Sequence, residues 1–199
     1  MKKRLRFLLL LPLLLIVILA GQAYCQEEVV IADFEDEDIT DWVYKALRWD
    51  TDLHKPVGDE TQSPLLLSIN ENPAYVKAGD MSLKVVYQRT PGVGPLYAEI
   101  TKRAIPNPTE EADTLSFWIY NDKEEACILK IFLINTNTWA NSVCIEKVNF
   151  KGWKKIAIHK DQFSANPNLK WTDVNRLQFV IDGAPFEGYI DDLKFTTWK

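Results

Sequence analysis

The chain has 199 residues, with 28 acidic side chains against 23 basic ones and a formal charge of −5. That balance leaves no basic footprint for a phosphate backbone and argues against nucleic acid as a partner. Its length suits one domain with a full core.

Lys2, Lys3, Arg4 and Arg6 precede the apolar run Phe7 to Ala20, and "GQAYCQEE" follows. A basic start, a short apolar stretch and small residues read as a secretory leader. The run is 14 residues long and broken by Pro12, short of the 18 or so that span a bilayer. Residues 1–25 are therefore expected to be leader and residues 26–199 a single domain, secreted or periplasmic, with no membrane span. Cleavage after Ala23 uses Gly21 and Ala23 as the small positions, while cleavage after Cys25 uses Ala23 and Cys25. Lipid anchoring at Cys25 fits less well, because Gln22 follows Leu19-Ala20-Gly21 and bulky Tyr24 precedes the cysteine. Removing the four leader bases leaves 19 basic against 28 acidic residues, a formal charge of −9.

From Val29 onward, segments of period-two alternation are punctuated by Pro, Gly, Asn and Asp. In chain order they are "VVIADF", "LLLSIN", "SLKVVYQR", "LYAEITKR", "DTLSFWIYN", "ILKIFLIN", "SVCIEKVNF", "WKKIAIH", "RLQFVID" and "GYIDDLKF". Thr40 to Trp49, "TDWVYKALRW", is open between a short helix capped by Thr40 and a strand or loop. Ten strands without a βαβ rhythm predict an all-β, antiparallel two-sheet sandwich of the jelly-roll type. Cys127 and Cys144 flank "NTNTWAN" on a predicted hairpin. Either they pair in an oxidising compartment or they are two buried thiols, and strand register decides.

In order and spacing, "ADFEDEDITDW", "NPAYVKAGDMSLKVVYQ", "DTLSFWIYN", "KGWKKIAIHKDQF", "VNRLQFVIDG" and "GYIDDLKF" resemble the galactose-binding-domain-like β-sandwiches. Secreted carbohydrate-binding modules like families 4, 11 and 22 are the nearest look-alikes. Complex I intermediate-associated proteins are similar in their opening Asp-Phe and closing Asp-Asp. The likeness covers nearly all of the chain after the leader; it implies the fold and leaves sugar binder and scaffold both open.

Alternation in "GYIDDLKF" puts Tyr189, Asp191, Leu193 and Phe195 on one face, and Ile190, Asp192 and Lys194 on the other. A carboxylate on an apolar face is costly unless paired. Asp33 and Glu35 in "DFED" add acid on a strand that, in the resembled superfamily, lies close to the last one. The turn "KAGDMS" adds carbonyl oxygens, so an all-oxygen calcium cage is expected. The resemblance matches Glu35 and Asp191 to side-chain ligands, and Lys77 and Asp80 to positions that ligate through their carbonyls. The competing reading makes these acids solvated guards of exposed edge strands.

For the ligand face, alternation turns Trp118 and Tyr120 away from the core in "DTLSFWIYN", Tyr97 and Glu99 in "LYAEITKR", and Gln178, Val180 and Asp182 in "RLQFVID". If these strands are neighbours in one sheet, Tyr97, Glu99, Trp118, Tyr120, Gln178 and Asp182 line one surface. Aromatic rings there pack on the C–H face of a pyranose, and carboxylates and amides meet its hydroxyls. Trp49, Trp139 and Trp171 are placed to extend that surface; Trp42 and Trp153 read as core. Aromatic residues also favour strands without any ligand.

Catalytic signatures are missing from the sequence: His54 and His159 form no HExxH, and no GxSxG is present. Glu99 with Asp182 is the one carboxylate pair with glycosidase potential. The expectation is a secreted, non-catalytic carbohydrate-binding domain with a structural calcium, its partner a polysaccharide or oligosaccharide. The alternative is an extracytoplasmic scaffold whose partner is another protein.

Overall fold

The computed structural model describes residues 27–36, 38–50, 52–58, 65–88 and 96–197. The expected leader with Cys25, and part of the Thr51–Pro64 loop, lie outside the described residues. Twelve strands are found among them: β1 (Glu28–Ala32), β2 (Trp42–Asp50), β3 (Lys55–Gly58), β4 (Leu65–Asn70), β5 (Ser82–Tyr87), β6 (Leu96–Lys102), β7 (Thr114–Asn121), β8 (Cys127–Ile134), β9 (Asn141–Val148), β10 (Gly152–His159), β11 (Arg176–Gly183) and β12 (Phe186–Thr196). They form two antiparallel sheets of a sandwich. One has the order β10-β7-β12-β5-β4 with β1 also on β12; the other runs β3-β2-β6-β11-β8-β9.

All ten alternating segments are strands. The open stretch Thr40–Trp49 resolves into β2, where Trp42 and Ala46 face inward and the backbone pairs with both β6 and β3. The core lies between the sheets, where Phe117 of β7 meets Phe179 of β11 edge to face at 5.3 Å. Aliphatic side chains from both sheets surround this pair, including Leu83, Leu129, Ile131 and Leu193.

Strand β12 is shared along its length. Residues 186–190 pair with β5, Leu193–Thr196 pair with β1, and β7 follows the opposite edge. The register shifts between Asp191 and Lys194, and Asp192 takes a left-handed φ of 50°. This is a β-bulge, and it corrects the expected alternation. Ile190, Leu193 and Phe195 are the core residues, while Tyr189 and Asp191 lie on the outer face opposite Tyr120 and Trp118.

The cysteines are not joined: both are free and buried. Cys127 lies opposite Val148, and Cys144 lies opposite Ile131. The two positions are thus offset by four residues along the ladder, about 13 Å, well beyond the reach of a disulfide. The hairpin forms as expected, but its register excludes the bridge.

Candidate functional site

On the outer face of the sheet that contains β6, β11 and β8, the ladders align side chains into rows. One row runs Val43, Thr101, Gln178, Phe132, Val143; the next runs Lys45, Glu99, Val180, Lys130, Ile145; a third runs Leu47, Tyr97, Asp182, Ile128, Lys147. Tyr97, Glu99, Lys130, Phe132, Gln178 and Val180 enclose a depression of about 230 Å³. Val180 is buried in its floor.

Polar groups around this floor are held in place by ion pairs. Lys45 lies 3.6 Å from Glu99, and Lys130 lies 2.9 Å from Asp182. Burial, followed by the nearby carboxylates of Glu99 and Asp182, pushes the Tyr97 phenol above its ordinary value. It therefore remains a neutral hydroxyl, able to donate and accept. The result is an apolar floor of Val180 and Phe132 ringed by a phenol, an amide and two fixed carboxylates. Such a surface can pack against one face of a sugar ring and hydrogen-bond the hydroxyls at its rim.

Four of the six expected ligand residues come together here: Tyr97, Glu99 and Gln178 in the depression, and Asp182 beside it through Lys130. Trp118 and Tyr120 do not join them. Strand β7 belongs to the other sheet, so these two rings occupy the opposite outer face. There Tyr120 packs edge to face on Tyr189 at 5.8 Å and on Trp153 at 5.5 Å, Tyr75 stacks on Tyr189 at 4.4 Å, and the Lys77 ammonium sits 4.4 Å over Trp118. These aromatics clamp the connection between β4 and β5 onto the sheet. Trp153 belongs to this cluster, a correction to its expected place in the core, because its pairing with Tyr120 aims it outward. Trp42 is core as expected.

Trp139 is 65% exposed under the Arg176 guanidinium, at the β8–β9 turn. Trp171 packs against Phe195 and Phe163, away from the depression. Trp49 lies on β2 opposite Pro56. Lys45, Lys130 and Phe132 were missed from sequence. The signal for two of them was visible in "ILKIFLI", where Lys130 interrupts an apolar strand and shares a face with Phe132.

The expected cation residues gather around one turn. Asp191, with no exposed surface, accepts N–H bonds from Lys77 at 2.7 Å and Ala78 at 3.0 Å on Oδ2, and from Asp192 at 2.7 Å on Oδ1. Glu35 accepts the Asp80 N–H at 3.0 Å on both oxygens, and the Met81 N–H at 3.0 Å. Gly79 has φ of 65°, and a side chain there would collide with the Glu35 carboxylate. Lys77 and Asp80 thus present N–H groups, the positive ends of peptide dipoles, to the carboxylates expected to face a cation. Asp33 accepts the Glu35 N–H at 3.4 Å. Among the described residues no group of three or more acidic, histidine or cysteine side chains is set to hold a metal. As arranged, these residues fit a turn that satisfies two carboxylates rather than the calcium cage expected from sequence.

Neither carboxylate of the Glu99 and Asp182 pair is isolated in an apolar pocket, each being tied to its lysine. His159 lies 3.2 Å from Asp113 and 3.4 Å from Asp161, where it caps the turn Lys160–Gln162. Among the described residues no helix is long and apolar enough to cross a membrane.

No protein-family model matches the chain, and no characterised protein matches it in sequence. Solved structures do. A family 11 carbohydrate-binding module from Clostridium thermocellum, in complex with a β-1,3-1,4-mixed-linked tetrasaccharide, is 14% identical over 84% of this chain and 94% of that one, with a TM-score of 0.58. A family 30 module of a cellulosomal cellulase from the same organism is 15% identical over 87% and 98%, with a TM-score of 0.56. A non-crystalline-cellulose-specific family 28 module is 15% identical over 85% and 94%, at 0.52. The fold is that of the carbohydrate-binding-module β-sandwiches. The enzymatically active domain of a bacteriophage tailspike shares it too, at 12% identity and over only 21% of that chain.

Proposed function

We propose that the protein is a non-catalytic glycan-binding domain, exported from the cytoplasm, that holds a polysaccharide or oligosaccharide on the outer face of β6, β11 and β8. The observation that carries this reading is the convergence of Tyr97, Glu99, Gln178 and Asp182 around the apolar floor of Val180 and Phe132. The likeness of the whole sandwich to carbohydrate-binding modules supports it. The ion-paired state of both carboxylates supports binding without chemistry: each is a held hydrogen-bond acceptor, suited to hydroxyl recognition. The basic and apolar leader supports export.

The test is a glycan array probed with the domain from residue 26 onward. Retention on one class of neutral glycan is the expected result. A folded domain that retains none contradicts the reading. A second reading, docking of a protein, draws on Ile145 and Ile128, which are 61% and 40% exposed beside the depression. Under that reading Ile145→Asp abolishes partner capture, and the array stays blank.

A further inference from the structure

The connection from β10 to β11 crosses from one sheet to the other and leaves a cavity of about 330 Å³ that takes Leu133 of β8 into its lining, while the neighbouring Phe132 faces the β6–β11 depression on the other side of that strand. Its lining mixes apolar Leu133, Phe163, Leu169 and Trp171 with polar Ser142, Ser164 and Asn166, and includes Lys160 and Asp161. We propose that this cavity is a second carbohydrate site, one that takes a single neutral sugar unit such as a chain end.

Three features support that occupant. The first is rigidity. The His159 ring and the Gln162 side chain cap the turn at the start of the connection reciprocally. The Ser142 hydroxyl donates to the Ser164 carbonyl at 2.7 Å, the Val143 N–H donates to the Ser164 hydroxyl at 3.0 Å, and the Asn166 amide donates to the Asn141 carbonyl at 2.6 Å. The second is spare polar capacity. After those bonds the Ser142 hydroxyl can still accept, the Ser164 hydroxyl can still donate, and the Asn166 amide has a second hydrogen. The third is a fixed aromatic ring in the lining. Trp171 is fixed by its indole N–H to the Ala112 carbonyl at 3.0 Å and by edge packing on Phe195, so a rigid aromatic ring lines the same cavity as the hydroxyl and amide groups. Apolar and aromatic surface together with hydroxyl and amide groups in one cavity suits a pyranose, which offers both C–H surface and hydroxyls. The Lys160 ammonium is ion-paired with Glu110 at 3.5 Å and Asp161 stands next to it in the chain, so the cation is partnered within the protein, which favours a neutral ligand over an anionic one.

This site is independent of the sheet-face depression, and each can fail without the other. The experiment is a titration of the isotope-labelled domain with methyl glycosides of neutral monosaccharides, followed by amide and indole resonances. Saturable shifts at Ser142, Ser164, Asn166 and the Trp171 indole are expected, while Tyr97 and Gln178 stay still. Ala165→Phe adds bulk at the mouth without removing a side-chain hydrogen bond, and abolishes those shifts. Shifts confined to Tyr97 and Gln178, no shifts with any glycoside, or shifts that survive Ala165→Phe each overturn the proposal.

Discussion

Asp191 is fully buried, and three backbone N–H groups make that burial tolerable. Replacing it with Ala leaves those donors dry, at about 1–3 kcal/mol for each that water cannot reach, so chemical denaturation is expected to show a loss of at least about 2 kcal/mol. Burial, the largest influence, pushes its carboxyl above the ordinary value of 3.8, against the pull of the Ala78 and Lys77 N–H groups. The folded state therefore binds this proton more tightly than the unfolded chain. The associated stability is full below 3.8 and is lost as pH rises through the folded value. Stability of the wild type relative to Asp191→Asn should fall with rising pH across that window, and a difference flat in pH contradicts this. Cys127 offers an independent check on the core. Its thiol is pushed up to about 11 by burial, so alkylation mapped by mass spectrometry should leave Cys127 and Cys144 unmodified until the protein unfolds, with no bridge between them.

At the scale of elements, alternation located ten strands correctly because each sets a core face against an outer one. It failed in β12, where one left-handed residue, Asp192, reverses the phase. Nothing in "GYIDDLKF" requires a bulge; it arises where β5 hands the strand edge to β1. The turn Lys77–Met81 closes that junction by binding Glu35 from one side and Asp191 from the other. Sequence brought these residues to one place and expected the turn's carbonyls to face a cation; the structure adds its N–H groups as donors to both carboxylates, since a turn rich in carbonyls is equally rich in N–H groups. Gly79→Ala should cost more than about 1 kcal/mol, the penalty for a side chain at positive φ, with Glu35 displaced as well; a neutral result in thermal unfolding contradicts the latch. Chelator should leave the unfolding temperature unchanged, and a fall of several degrees that calcium restores would return the cation to this turn. The disulfide failed for a related reason, since composition placed both cysteines on one hairpin and only the four-residue ladder offset separates them.

Across the whole molecule, the consequential error from sequence was one of sheet membership. Outward side chains were identified well, but outward from which sheet depends on long-range strand order, which no local pattern encodes. Tyr97, Glu99, Gln178 and Asp182 share a face because β6 and β11 are neighbours. Trp118 and Tyr120 stand on the far side of the sandwich and hold the β4–β5 connection in place. The most direct measurement is calorimetric titration of a glycan retained on the array into the wild type, Tyr97→Ala and Trp118→Ala. Loss of about tenfold or more in affinity with Tyr97→Ala, and unchanged affinity with Trp118→Ala, is the predicted result. Affinity that is lost with Trp118→Ala and kept with Tyr97→Ala would place the glycan on the opposite face and contradict the account.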